Sequence, residues 1–341
     1  MSSELVAAQK ESARLWVPIL AKYREPFFVR SVFEVAVTFL AFFGFWALAW
    51  VVLPTSPALS VVLAVLNGFW LVRAFLIQHD CGHQSLFTNR NVNDWLGRMI
   101  GVVTLTPYDV WQKTHAIHHA SAGNLDRRGI GDVVTLTVAE YKSRNWFGRL
   151  RYRMYRHPVV MFGLGPAYLF LLDYRLPLGL MTAGWRYWVS SMVTNAMIIA
   201  VVVGLYLLGS WQVLLFIYLP TVLTAATVGV WLFFVQHQFE ETFWGKEADW
   251  QVHEAALLGS SHYRLPKPLR WLTANIGIHH VHHLYSRVPF YRLSEILRDY
   301  PALAEAQVLT VRESLACARL HLWDEAAKRL ISFREARGQI A

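Results

Sequence analysis

Cysteine is almost missing from this 341-residue chain, which holds only Cys81 and Cys317. That excludes a disulfide framework and suits a reducing compartment. Charge is also scarce, at 16% of residues, while 55% are hydrophobic, which excludes a disordered chain. No internal repeat, low-complexity tract or Gly/Ser linker breaks the sequence, so one domain over residues 1–341 is expected. Met1 to Arg24 is of mixed charge, with no apolar core ahead of a small-residue cleavage site, so no cleavable signal is expected.

What the chain has in excess is apolar length. A bilayer core needs about 20 apolar residues in a helix. Four stretches meet that need: Val35–Leu53, Ala58–Gln78, Tyr187–Leu208 and Trp211–Gln236, the last able to kink at Pro220. Among them only Ala58–Gln78 carries a charge, Arg73, near one end. The turns inside the two pairs, Pro54–Thr55–Ser56–Pro57 and Gly209–Ser210, lack lysine and arginine. Four spans would therefore leave residues 79–186 and 237–341 on one face, with both termini. The positive-inside rule makes that face cytoplasmic, and Arg73 is expected to snorkel towards it. The net charge of +9 then reads as loops beside anionic lipid, with no nucleic-acid partner. The expected fold class is all-α: an integral membrane bundle of four transmembrane helices under a cytoplasmic cap. Val159–Tyr174, interrupted by Gly163, Gly165 and Pro166, is expected to be a buried or interfacial helix, and Trp95–Thr106 to dip into the interface. Asn195 should face the bundle interior, and Glu313 to Glu335 shows helical patterning.

Histidine carries the chemistry. Nine of 14 fall into pattern: His79 and His83; His115, His118 and His119; His279, His282 and His283; and His237 at the end of the fourth stretch. On a helix, positions i, i+3 and i+4 share a face, so each cluster is expected to aim two or three imidazoles at one point. Imidazole suits iron, zinc, copper and nickel, and eight or nine nitrogens exceed the needs of one ion, so two metals are implied. All clusters lie at or beyond the ends of the stretches that face the cap. His280 is out of helical phase and reads as packing or support. His157, His253, His262 and His321 lack partners at ligand spacing and default to surface or interfacial roles. Asp80, Asp126, Asp132 and Glu240 are candidates to bind the outer nitrogens of ligating rings. Cys81 reads as a small packing residue.

The three boxes, in this order and between paired apolar stretches, resemble the membrane fatty acid desaturase family, in particular its bacterial and cyanobacterial acyl-lipid branch. The words His79–Phe87, Gly123–Val133, Val235–Glu240, and Gly259–Ser261 leading to Asn275–His279 are similar to that branch as well. The resemblance implies two iron ions held by His79, His83, His115, His118, His119, His279, His282 and His283, with His237 as the additional ligand near the end of the fourth span. It implies an O2-dependent enzyme that removes two hydrogens from a methylene pair of a fatty acyl chain, with membrane lipid as substrate, in a bacterial cytoplasmic membrane. No His-Pro-Gly-Gly haem signature or fused cytochrome-type domain is visible, so an external donor, a ferredoxin, is expected. A histidine-box hydroxylase of a lipid, alkane, sterol or carotenoid is the nearest alternative. A haem-binding electron carrier and a metal transporter are the more distant ones.

Overall fold

Ser56 and Pro57 open the longer of the first two helices. The Ser56 hydroxyl accepts from Leu59 N–H, and Pro57 occupies a first-turn position that needs no donor. In this computed structural model, which describes residues 13–338, the pair comprises α1 (Phe28–Val52) and α2 (Pro57–Gly82). Residues 1–12 and 339–341, which belong to the expected single domain and in part to the Met1–Arg24 reading, lie outside the described residues. The cap helices α3 (Arg90–Val103) and α4 (Tyr108–Ser121) follow, then α5 (Trp146–Tyr155). The second long pair is α6 (Trp185–Val213) and α7 (Leu219–His237), and the six-residue α8 (His279–Leu284) carries the third box.

Among the described residues, three helical elements are long and apolar enough to cross a membrane: Phe28–Val52, Pro57–Gly82 and a 53-residue run, Trp185–His237. The last is not one rod. Straight, it would reach about 80 Å. Yet Arg186 at its start bonds Asp109 (Nε–Oδ1 3.0 Å), and His237 at its end lies against His118 (Nε2–Nε2 3.2 Å). Asp109 and His118 sit on the same helix, α4, about 14 Å apart. The run therefore doubles back. It does so at Ser210, whose φ of 62° and ψ of −174° are not helical. Gly209 beside it leaves no room for a Cβ, which would stand 2.5 Å from Trp50 Cζ2.

Close contact fixes α2 against α7. A Cβ on Gly68 would fall 2.6 Å from Thr224 Cβ, so glycine lets the backbones meet, and Thr221 Oγ1 donates to Ala64 O at 3.1 Å. The outer faces of the long helices stay apolar and exposed, as at Leu40, Val51, Leu207 and Leu208. So extensive an apolar surface fits lipid rather than water.

Four expectations need correction. Arg73 does not snorkel to water. It is fully buried, paired with Glu34 of α1, and donates to Thr38 Oγ1 (3.1 Å) and to the Trp271 carbonyl. Its guanidinium lies 4.1 Å from the Trp271 ring centroid and 5.5 Å from that of Phe290. Glu34 supplies the counter-charge that water would otherwise provide. The fold is mostly helical but not all-α: among the described residues, β1 (Leu136–Thr137), β2 (His262–Arg264), β3 (Val308–Thr310), β4 (Leu322–Asp324) and β5 (Arg329–Ile331) form the sheets β1-β4-β5 and β2-β3. Helix does not run on from Glu313 to Glu335, because β4 (Leu322–Asp324) and β5 (Arg329–Ile331) make an antiparallel hairpin that buries Leu322, Trp323, Leu330 and Ile331. His262 is buried rather than superficial, lying on β2 (His262–Arg264), and donates from Nδ1 to Ala304 O at 2.8 Å.

The segment 159–174 forms short helical turns with Met161 and Pro166 buried and Val159, Leu164, Tyr168 and Leu172 exposed, the pattern of a half-submerged element. Asn195 pairs with Arg175, the residue just past that segment, accepting from Nη1 at 2.9 Å and donating to Arg175 O at 2.8 Å.

Breaking a buried ion pair costs about 3–5 kcal/mol, because one charge is left uncompensated. Glu34 has a second partner in Arg30, whereas Arg73 has no other acid among its described partners. Glu34→Met should therefore lower the thermal midpoint in detergent more than Arg73→Met. The double substitution should recover part of the loss, as melting followed by size-exclusion chromatography would show.

Candidate metal centre

Four helix segments bring nine imidazoles together. His79 occupies the last turn of α2, and His83 caps that helix, with its N–H on His79 O at 3.1 Å. Gln84, at φ +57°, then turns the chain away. His115, His118 and His119 lie in the second half of α4, and His237 is the last residue of α7. Ala274 and Asn275, both at positive φ, form the tight turn that launches α8 with His279, His282 and His283. Asn275 secures that turn by donating to Phe290 O (3.1 Å) and accepting from Ser294 (2.8 Å).

The nine divide into two groups. His79, His83, His115, His119 and His282 form one, and His118, His237, His279 and His283 the other; within each, the ligand nitrogens lie within 4.8 Å of one another. Each box sends two imidazoles to one group, His79 with His83, His115 with His119 and His279 with His283, within the expected two or three; the remaining histidine of the second and of the third box goes to the other group. Adjacent residues on a helix point about 100° apart. His118 and His119 therefore serve different groups, as do His282 and His283, while the i, i+4 partners His115 and His119 stay together.

The distances suit metal ions. His83–His115, His115–His119 and His119–His282 have Nε2 atoms 3.0, 3.1 and 3.1 Å apart, and His237–His279 are at 3.0 Å. Two nitrogens about 2.1 Å from one ion at a right angle are about 3.0 Å apart, given the usual metal–imidazole bond length. Hydrogen bonds cannot account for the cluster. A ring nitrogen carries one proton or one lone pair, yet His115 and His119 each meet two other ring nitrogens. Nε2 of His79 and of His283 is buried with no hydrogen-bond partner among the described residues. Lone pairs converging on a cation resolve both facts.

The outer nitrogens are held by the fold. His118 Nδ1 donates to Asp132 Oδ1 at 2.5 Å, and His237 Nδ1 to Gly259 O at 3.0 Å, which leaves both Nε2 lone pairs facing inward. Asp80 Oδ1 lies 3.3 Å from His79 Nδ1, while its Oδ2 accepts from Phe290 N–H at 2.7 Å. The other two candidate carboxylates are placed elsewhere. Asp126 accepts from Glu247 N–H at 2.8 Å, and Glu240 pairs with Arg329 at 2.5 Å. His280 donates to Leu303 O at 2.8 Å and packs on His262. His157 is exposed, His253 half-buried, and His321 stacks on Phe333. Cys81 is buried. Sequence reasoning missed Trp111, which stacks on His115 at 4.6 Å and 16°; its i, i+4 spacing was the available signal.

Burial, and after it the neighbouring imidazoles, holds His83, His115, His119, His279, His282 and His283 well below the ordinary histidine range. They are therefore neutral near pH 7, the form that binds metal. The four-histidine group is wholly buried, whereas His83, His115 and His119 are half-buried.

Apolar helices of spanning length that end in a paired polyhistidine site define a membrane metalloenzyme. Comparison with known proteins narrows this. The family model described as "Fatty acid desaturase" matches residues 55–314. The chain is 42% identical over 315 residues to a fatty acid desaturase of Bacillus subtilis, covering 92% of this chain and 89% of the relative. It is 29% identical to an sn-1 acyl-lipid omega-3 desaturase (ferredoxin) of Synechocystis, over 66% of this chain and 64% of that one. It is 25% identical to an sn-1 oleoyl-lipid 12-desaturase of the same organism, over 84% and 75%. The chain belongs to the fatty acid desaturase family, and its activity is that of an oxidoreductase that desaturates a fatty acyl chain.

Partners on the outer nitrogen of a metal-bound imidazole are worth roughly 10–100-fold in metal affinity. Asp132→Ala should lose iron to a chelator by about that factor, while Asp126→Ala and Glu240→Ala stay near wild type. Chelator competition with metal analysis by mass spectrometry would rank the three.

Proposed function

We propose that this chain is an acyl-lipid desaturase with two irons, one held by His79, His83, His115, His119 and His282, the other by His118, His237, His279 and His283. The observation that carries this reading is the division into two all-histidine groups, each with its ligand nitrogens within 4.8 Å. An iron pair held there would, with O2 as oxidant and two electrons from the donor, supply the oxidising power that an unactivated methylene pair requires and that no side-chain acid or base has, O2 leaving as two waters. The chain's own residues hold that centre in shape. Asp132 and the Gly259 carbonyl fix the rings of His118 and His237, and Trp111 backs His115.

The proposed topology has four spans, because the Trp185–His237 run reverses at Ser210. Both of its ends, and the carboxyl end of α2, then lie on the side of the metal centre. The turns on the other side carry no lysine or arginine, which favours a cytoplasmic cap in a bacterial inner membrane. Acyl groups of membrane lipid are the proposed substrate. The relatives that name a substrate type act on acyl-lipids, and a chain already in the bilayer lies beside the spans that lead to the site. A ferredoxin is the proposed donor. One relative's name includes it, and a basic cap suits an acidic partner.

Expression in a host that supplies ferredoxin, followed by gas chromatography and mass spectrometry of total fatty acids, tests the reading. A new double bond is expected with wild type and none with His118→Ala; its position fixes the regiochemistry. A hydroxylated acyl chain would move the protein to the hydroxylases. The purified enzyme should carry two irons per chain, and His237→Ala about one, as metal analysis would read directly.

A further inference from the structure

Helix α5 lies outside the metal centre, yet it displays large apolar side chains. Asn145 caps it, accepting from Gly148 N–H at 2.8 Å. At about 100° per residue, Trp146, Phe147, Leu150 and Met154 fall within one arc of roughly 100°. They are 75%, 59%, 44% and 58% exposed. Arg151 stands just beyond one edge of that arc; Arg153 and then the half-buried Arg149 border the other, Arg153 Nε donating to Tyr141 Oη at 2.6 Å and Arg149 Nε to Arg144 O at 2.8 Å. The helix contains no acid. Its opposite face is anchored, with Tyr152 buried and its hydroxyl donating to His321 O at 2.6 Å.

A second observation fixes the depth of this helix. Arg156, one residue past its end, lies 5.6 Å from the Phe234 ring centroid and donates to Gln238 Oε1 at 2.8 Å. It therefore sits where α7 ends. The chain then runs back along α7, with the Phe162 ring 4.9 Å from Trp231 and 5.0 Å from Phe234, and presents Val159, Leu164, Tyr168 and Leu172 outward. The exposed arc of α5 thus leads along the chain, through Arg156 at the end of α7, into a segment whose outward side chains are already suited to lipid.

We propose that α5 is an interfacial anchor. It lies in the headgroup layer, with Trp146, Phe147, Leu150 and Met154 at the acyl boundary and Arg149 and Arg151 on anionic lipid headgroups. An apolar stripe bordered by arginines, whose stems lie along apolar surface while the charges reach outward, is the form such helices take. The occupant is a lipid surface because the rim is basic on both sides and carries no acid for a protein partner's cations. The inference rests on membrane insertion of the long helices and is independent of the reaction.

The test uses full-length enzyme in nanodiscs with a fluorophore on Phe147→Cys, or on Met154→Cys should the first fail to fold; Cys81 and Cys317 are buried and do not compete. A label on Leu40→Cys, on the outer face of α1, is the reference. Quenching by brominated lipid with protection from aqueous iodide, as at residue 40, is expected. In mixed discs, bromine carried on phosphatidylglycerol should quench more than bromine on phosphatidylcholine. Arg149→Gln with Arg151→Gln should erase that difference, since each arginine favours anionic lipid by up to roughly fivefold. Iodide quenching without bromolipid quenching at residue 147, with residue 40 still quenched by lipid, overturns the anchor. Equal quenching by the two brominated lipids overturns the anionic preference. Loss of lipid quenching at residue 40 as well would overturn the membrane reading itself.

Discussion

The convergence of nine imidazoles is the constraint on which the rest of this structure depends. Ring nitrogens 3.0–3.2 Å apart, removed from water, cannot satisfy one another by hydrogen bonding. The arrangement makes sense only around cations, and only if the backbone holds each ring within tenths of an ångström. The polar detail of the cap follows from that demand. Asp132 and the Gly259 carbonyl hold rings from behind, Trp111 stacks on one, and the Asn275 turn sets the start of α8. Asp80 joins the end of α2 to Phe290, and Arg73 joins α2 to Trp271, so the third box is bracketed from both sides by the helix that bears the first.

The division of labour among the helices is equally ordered. α2 serves only the five-histidine group and α7 only the four-histidine group, whereas α4 and α8 serve both. The two short helices are thus the bridge between the centres. They bridge because each carries an adjacent histidine pair whose side chains point about 100° apart. His119 and His283, from different helices and different groups, stack at 4.0 Å and 13°, which locks the halves together.

Much of this was legible in the residues. The i, i+3, i+4 spacing of the boxes, the paired apolar stretches and the position of His237 at the end of the fourth stretch picked out the nine histidines that the structure brings together. What sequence could not show is the division of the second and third boxes, because helical spacing gives the angle between side chains but not the position of the neighbouring helices. The four candidate carboxylates looked alike for a similar reason. Asp132 meets His118, while Asp126 and Glu240 are drawn to a backbone amide and to Arg329, and that choice is made by tertiary packing. Arg73 looked like a lone charge because its partner Glu34 lies just outside the uncharged stretch that defined the first span. His262 looked superficial because the carbonyl that holds it, on Ala304, is 42 residues away in sequence.

The absence of carboxylates from both histidine groups raises a question of charge balance, since neutral ligands leave the full charge of any bound cation to be stabilised in a buried place. The architecture supplies an answer. α2, α4 and α7 all reach the site with their carboxyl ends, and His79, His118, His119 and His237 occupy their last turns. A helix carboxyl terminus carries the equivalent of roughly half a negative charge. Three such ends facing one cluster, with Asp132 and Asp80 just behind the rings, offset cationic charge without placing a carboxylate on a metal. The same geometry explains why the boxes sit where the long helices stop. Only at their ends do the helices offer unpaired carbonyl dipoles, and on this topology those ends lie at the boundary where an acyl chain leaves the bilayer.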